Sequence, residues 1–119
     1  MSFRDDRMRM QHMLDHAREA ISMIAGCQRD DLASDRMLQL ALVRLVEIVG
    51  EASTRISDMT QNRWPDIPWR EIAGMRNRLI HGYDRVDLRV LWDTLECDLP
   101  ALVVQLEQAI IFEDTDHPE

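Results

Sequence analysis

Arg76-Asn77-Arg78-Leu79-Ile80-His81-Gly82-Tyr83 gather two guanidinium groups, a carboxamide, an imidazole and a phenol around one short apolar pair. Histidine both takes and gives a proton near neutrality, and the planar fork of arginine matches phosphate oxygens. His81 and Arg76 together suit acid–base chemistry on a phosphodiester, and they equally suit a satisfied structural pair. On an ideal helix Arg76 and Tyr83 fall within about 20° of one another, whereas Arg76 and His81 differ by about 140°. Convergence of Arg76 and His81 therefore requires the backbone to leave helical geometry near His81-Gly82, or a second copy of the motif from a symmetry mate. The competing structural reading has His81 capping a helix whose negative end favours an imidazolium, with Asn77 a solvated polar residue.

The elements that must position these residues read as helices. Met10, Met13, Leu14, Ala17, Ile21 and Ile24 recur at spacings of three and four and predict a first helix over about 4–26, with Ser2 as a cap and Gly26 as its end. Gln28 to Ala33 reads as a polar connection. Ser34 is the capping candidate for a longer helix to about Met59, with a stripe of Met37, Leu38, Leu42, Leu45, Val46, Val49, Ala52, Ile56 and Met59. Gly50 inside it costs about 1 kcal/mol relative to alanine, which suggests close packing against a neighbour. The apolar surface from Leu40 to Val49 is wide enough to face both a core and a second subunit. Gln61 to Pro68 reads as a loop, followed by a third helix over 69–81 that carries the motif and stops at Gly82. Asp87 caps a fourth region, which Pro100 kinks or divides after Cys97 with Asp98 as a new cap. No strand-like alternation stands out. The fold class is all-α, a four- to five-helix up-down bundle.

The bulk properties set bounds. The 119 residues read as a single domain, 1–119, of which the acidic stretch 112–119 is expected to fray. Hydrophobic residues make up 45% and charged residues 30%, which argues against disorder. No apolar run approaches the roughly 20 residues needed to cross a bilayer, and the acids in Met1–Asp6 argue against a signal peptide. A cytoplasmic protein is expected, with Cys27 and Cys97 as buried, reduced thiols. The net charge of −8 argues against a nucleic-acid partner. Between Arg70 and Arg89, however, five arginines face Glu71, Asp84 and Asp87, a local balance of +2. His12 and His16 have metal-pair spacing but lack a third ligand, so they read as surface histidines, with no metal site expected. Trp64, Trp69 and Trp92 read as core anchors, and the eight methionines as helix-core filler.

Arg76, His81 and Tyr83 also fit the pattern R-x4-H-x-Y, with the polar Asn77 directly after the arginine. Leu45-Val46-Glu47-Ile48-Val49-Gly50-Glu51-Ala52, Ile67-Pro68-Trp69-Arg70-Glu71-Ile72-Ala73-Gly74-Met75-Arg76-Asn77, Val86-Asp87 and Asp98-Leu99-Pro100 supply further landmarks. Over roughly residues 4 to 111 the chain resembles the HEPN superfamily, and within it the HepT-like family of small bacterial and archaeal toxins.

That resemblance implies a homodimeric HEPN bundle with two copies of the motif facing a shared cleft. It implies the toxin of a type VII-like toxin–antitoxin pair: a metal-independent endoribonuclease, without cofactor, that cleaves tRNA or mRNA to a 2′,3′-cyclic phosphate. His81 would act as general base or acid, Arg76 would stabilise the charged transition state, and Asn77 would orient the histidine or the phosphate. Arg78 is assigned to the RNA backbone from its charge alone. The implied antitoxin partner is an MNT-type nucleotidyltransferase that transfers AMP to Tyr83, placing bulk and negative charge beside Arg76 and His81. The alternative is a non-catalytic helical partner, or substrate-presenting module, of a nucleotidyltransferase complex; the acidic surface favours it. A nucleotide-binding regulatory domain has no phosphate-cradling loop to support it.

Overall fold

A computed structural model describes residues 3–83 and 85–116, so the cap expected at Ser2 lies outside the described residues. The chain is mostly helical, as expected. Helix α1 (Phe3–Met23) buries Met10, Met13, Leu14, Ala17 and Ala20, the spacing that predicts it, and packs along both α3 (Arg36–Thr54) and α8 (Leu99–Asp116). Gly26, at φ +81°, follows it in the turn.

The segment Gln28 to Ala33 is not a bare connection. Arg29–Ala33 forms a short helix, α2, whose Asp31 carboxylate accepts the Gln28 N–H at 2.7 Å. Leu32 is fully buried, and the side chain of Gln39 donates to its carbonyl at 2.7 Å. Asp35 rather than Ser34 caps α3, accepting the Leu38 N–H.

The expected single helix to Met59 breaks at Thr54, and α4 (Asp58–Arg63) begins at a Ser57 cap. A buried carboxylate specifies the break. Asp6 on α1 is 1% exposed and accepts the Ser57 N–H at 3.1 Å, the Ser57 hydroxyl and the Thr60 hydroxyl at 2.7 Å. A buried charge needs such partners, and a continuous helix would have spent the Ser57 N–H on its own backbone. Met37 and Met59, assigned to the core stripe, are exposed.

The predicted third helix divides at Gly74 into α5 (Trp69–Ala73) and α6 (Met75–Leu79), both packed on α3. Gly50 permits that approach: a Cβ there would sit 3.0 Å from the Ile72 carbonyl oxygen. Trp64, Trp69 and Trp92 are half-buried against the core.

Helix α7 (Leu88–Asp93) runs through a π-helical turn, Thr94–Asp98, into α8 without a break. The Leu99 N–H bonds the Thr94 carbonyl, five residues back. Widening the helix just before Pro100 accommodates a residue that has no N–H, so Asp98 lies inside the turn and caps nothing. Helix α8 extends to Asp116 and so includes the first residues of the stretch 112–119. Its Glu113 is fully buried and accepts from Arg63 at 2.9 and 3.1 Å and from the Trp64 indole at 3.1 Å. Cys97 is exposed and Cys27 half-buried, against the expectation of buried thiols. Among the described residues no helix is long and apolar enough to cross a membrane.

Candidate active site

Helix α6 ends two residues earlier than predicted. Ile80 is extended, at φ −110° and ψ 124°, and Ile80–His81 (β1) pairs antiparallel with Arg85–Val86 (β2). Gly82, at φ +68°, turns the chain between them, a conformation that glycine adopts without strain. The Asp87 N–H donates to the Leu79 carbonyl at 2.7 Å, closing the hairpin and satisfying a group at the helix end. His81 therefore does not cap the helix. It stands on a two-residue strand that the sequence pattern does not announce.

The motif residues fall into two carboxylate-held groups. Arg76 donates through Nε to Glu47 Oε2 at 2.7 Å, and Arg44 donates to Glu47 Oε1 at 2.6 Å. One carboxylate of α3 thus joins two guanidinium groups. The Arg44 hydrogen bond, with a smaller contribution from Arg76, holds the Glu47 carboxyl below the usual carboxylate range against the opposing effect of burial. Arg76, Asn77 and Glu47 line a groove of about 830 Å³ between α1, α3 and the α5–α6 segment.

The second group is His81 with Asp87. His81 Nε2 lies 3.0 Å from Asp87 Oδ2, while Asp87 Oδ1 accepts the Val90 N–H at 3.1 Å as the cap of α7. The hydrogen bond from His81, followed by that from Val90, lowers the Asp87 carboxyl from its ordinary value. With the ionised carboxylate on Nε2, the proton belongs on that nitrogen and Nδ1 is the acceptor.

Within one chain, then, Arg76 and Asn77 meet at the groove, and His81, which is not among its lining residues, is tied to a different carboxylate. Tyr83 is 97% exposed at the hairpin tip, and Asp84 lies outside the described residues. Arg78 lines a separate pocket of about 270 Å³ together with Met75 and Cys97, away from the Arg76 groove. His16 donates through Nδ1 to the His12 carbonyl, 2.7 Å away, on its own helix. Among the described residues no cluster of three or more His, Cys, Asp or Glu is placed to hold a metal ion.

Two partners escape a reading of the motif alone. Glu47 interrupts an otherwise apolar run of α3, and that interruption is the signal that could have found it. Asp87 is recognisable as a cap, but its second bond, to His81, depends on the hairpin.

Comparison with known proteins identifies the family. The profile of the family described as ribonuclease HepT-like matches residues 13–109. The chain is 42% identical over 99 residues to "Probable ribonuclease HepT" of Thermococcus cleftensis, covering 80% of this chain and 90% of that one. It is 32% identical over 107 residues to a "Putative RNase" of Methanocaldococcus jannaschii, covering 90% and 98% of the two chains. A protein of the same printed description from Caldanaerobacter subterraneus is 34% identical over 101 residues, covering 85% and 90%. No solved structure matches the chain. The motif, its flanks and these matches together place the chain in the ribonuclease HepT-like family.

Proposed function

We propose that this chain is a metal-independent endoribonuclease that cleaves RNA to a 2′,3′-cyclic phosphate and acts as the toxin of a cytoplasmic toxin–antitoxin pair. The observation that carries this reading is the pairing of His81 with Asp87, in a member of a ribonuclease family, five residues beyond the Arg76 that enters the groove. Asp87 fixes the imidazole and stabilises the positive charge it acquires on taking a proton. His81 Nδ1 removes the proton of a ribose 2′-OH, the 2′-oxygen attacks phosphorus, and the bond to the 5′-oxygen breaks. In the same direction a protonated His81, of this copy or of its dimer mate, supplies the proton to the departing 5′-oxygen. Arg76, engaged through Nε, keeps its Nη edge for the phosphorane-like charge, and Asn77 orients the phosphate beside it.

His81 and Arg76 are held by different carboxylates in one chain, so the reading includes a homodimer in which each copy supplies part of a shared cleft. Exposed Met37 and Leu40 on α3 support such an interface. The exposed phenol of Tyr83 supports its role as AMP acceptor for a cognate MNT-type nucleotidyltransferase antitoxin, since a transferring enzyme must reach it.

Purified protein incubated with total tRNA and mRNA in EDTA, beside His81→Ala and Arg76→Ala, tests the catalytic reading. Cleavage lost in both variants is expected. A folded wild type that leaves RNA intact would favour the second reading, a substrate-presenting partner of a nucleotidyltransferase. The separate tethering of Arg76 and His81 favours that second reading. Intact mass after incubation with the antitoxin and ATP tests Tyr83: the adduct is expected on wild type and absent from Tyr83→Phe.

A further inference from the structure

The groove beside Arg76 is built largely from residues outside the motif. Four arginines (Arg9, Arg44, Arg55 and Arg76) line it in a chain of net charge −8; Arg44 and Arg76 share Glu47, and the exposed Arg55 reaches Glu51 only at 3.5 Å. His12 and His16, one turn apart on α1, complete that wall. The His16 ring is anchored through Nδ1 to its own helix, which leaves Nε2 as its second hydrogen-bonding position. Met8, Ile48 and Ala52 add apolar surface to its lining.

We infer that this groove is a binding subsite for single-stranded RNA, in which Arg55 and His12 contact phosphates flanking the one held by Arg76. The inference rests on the ribonuclease reading and deepens it. A lining that mixes cationic and apolar side chains suits a polyanion whose unpaired bases offer flat apolar faces. A volume of about 830 Å³ is of small-ligand size and admits a nucleotide or two. A duplex presents its phosphates outward on a far wider cylinder. A negatively charged protein surface repels RNA elsewhere, so the groove confines binding to the strand entering the site. His12 and His16 thereby gain a role as hydrogen-bonding walls of the groove rather than as a metal pair.

The test uses a fluorescein-labelled 2′-O-methyl RNA oligonucleotide, whose blocked 2′-oxygen cannot form a cyclic phosphate. Its affinity for the full chain is measured by anisotropy over a salt series. His12→Ala, Arg55→Ala and the double variant are compared with Arg36→Ala, an exposed arginine of α3 outside the groove lining. Arg55 is 63% exposed and His12 is exposed, so thermal melts of the variants should match the wild type.

Arg55→Ala should weaken binding roughly tenfold and flatten the salt dependence by about 0.7 in log–log slope, the loss of one single-strand phosphate contact. Arg55→Lys should recover most of the slope, and Arg36→Ala should bind as wild type does. On cleavable RNA the groove variants should raise KM more than they lower kcat. Wild type that cleaves RNA while the groove variants bind and cleave equally well overturns the subsite and leaves the ribonuclease reading intact. Wild type that binds the probe in an Arg55-dependent manner without cleaving RNA upholds the subsite and removes the catalytic reading. Wild type that does not bind the probe overturns the subsite.

Discussion

Replacing Gly50 with alanine sets two effects of known sign against each other. On helix propensity alone the substitution stabilises α3 by about 1 kcal/mol. The packing says otherwise. The new Cβ would meet the Ile72 carbonyl at 3.0 Å and the Ala73 carbonyl at 3.7 Å, and ordinary contacts of this kind begin near 3.4 Å. The nearer atom is α5 backbone, which cannot rotate aside as a long side chain would, so α5 must retreat by a few tenths of an ångström. Overpacking of this kind costs about 1–3 kcal/mol. After the propensity gain, a net loss of about 1 kcal/mol is expected. For 119 residues the entropy of unfolding is about 0.25 kcal/mol/K, so Tm should fall by about 4 °C. Because α5 leads into α6, the retreat also shifts Arg76 relative to Glu47, and RNA cleavage should fall further than stability does. Thermal and urea denaturation, with a cleavage assay at a temperature where both proteins are folded, would measure this. A Gly50→Ala protein more stable than wild type by about 1 kcal/mol would refute the packing account and leave only propensity.

Further substitutions separate the roles of the carboxylates. Glu113→Ala should cost about 3 kcal/mol in urea unfolding, the lower end of the range for breaking a buried pair because Arg63 is itself partly exposed. Glu113→Gln should cost less, since its amide oxygen can still accept the Trp64 indole N–H. Asp114 lies below its ordinary value chiefly through its hydrogen bond to Arg7, and Asp87 and Glu47 are lowered as well. A carboxyl lowered on folding contributes stability above the unfolded range near pH 4, and that stability is lost as the pH falls through the folded value. Tm should therefore drop between pH 5 and pH 3, about the carboxylate range, and less steeply in Asp114→Asn; an unchanged slope in that variant would count against the Arg7 pair. Asp87→Asn keeps an acceptor for the Val90 N–H but removes the charge beside His81. Its melting should stay near wild type while cleavage falls at least about tenfold, and equal rates would exclude Asp87 from the chemistry.

The long helices were legible because periodicity reports burial directly: Met10, Met13, Leu14 and Ala17 are spaced as they are because one face of α1 is dry. Gly50 was legible for a related reason, as an expensive residue in a helix implies a close neighbour. What escaped depends on groups distant in sequence. The break at Thr54 is enforced by Asp6, roughly fifty residues away, and no local pattern near Ser57 contains that information. The end of α6 at Leu79 was hidden because Ile80 and His81 are compatible with either a helix or a strand, and the Asp87 N–H closes the hairpin only after the chain turns. At the candidate site, residue types pointed to Arg76, Asn77, His81 and Tyr83, whereas the carboxylates that hold the arginine and the histidine emerged from tertiary contacts. Arg78, chosen for charge alone, lines a different pocket.

The hairpin also determines how the segment tolerates changes in length. On a continuous helix, one added residue between Arg76 and His81 would rotate the imidazole by about 100°. Here a residue added beside Ile80 would fall on the strand β1, where side chains alternate faces, and would turn His81 to the side opposite Asp87. Added after Gly82, the same residue lengthens an exposed tip and leaves both carboxylate pairs in register. The segment from Arg76 to His81 is therefore a fixed ruler, and the stretch that displays Tyr83 is the place where length can drift, so under the proposed function a partner that reads the tyrosine would be free to diverge in reach without disturbing Arg76 and His81.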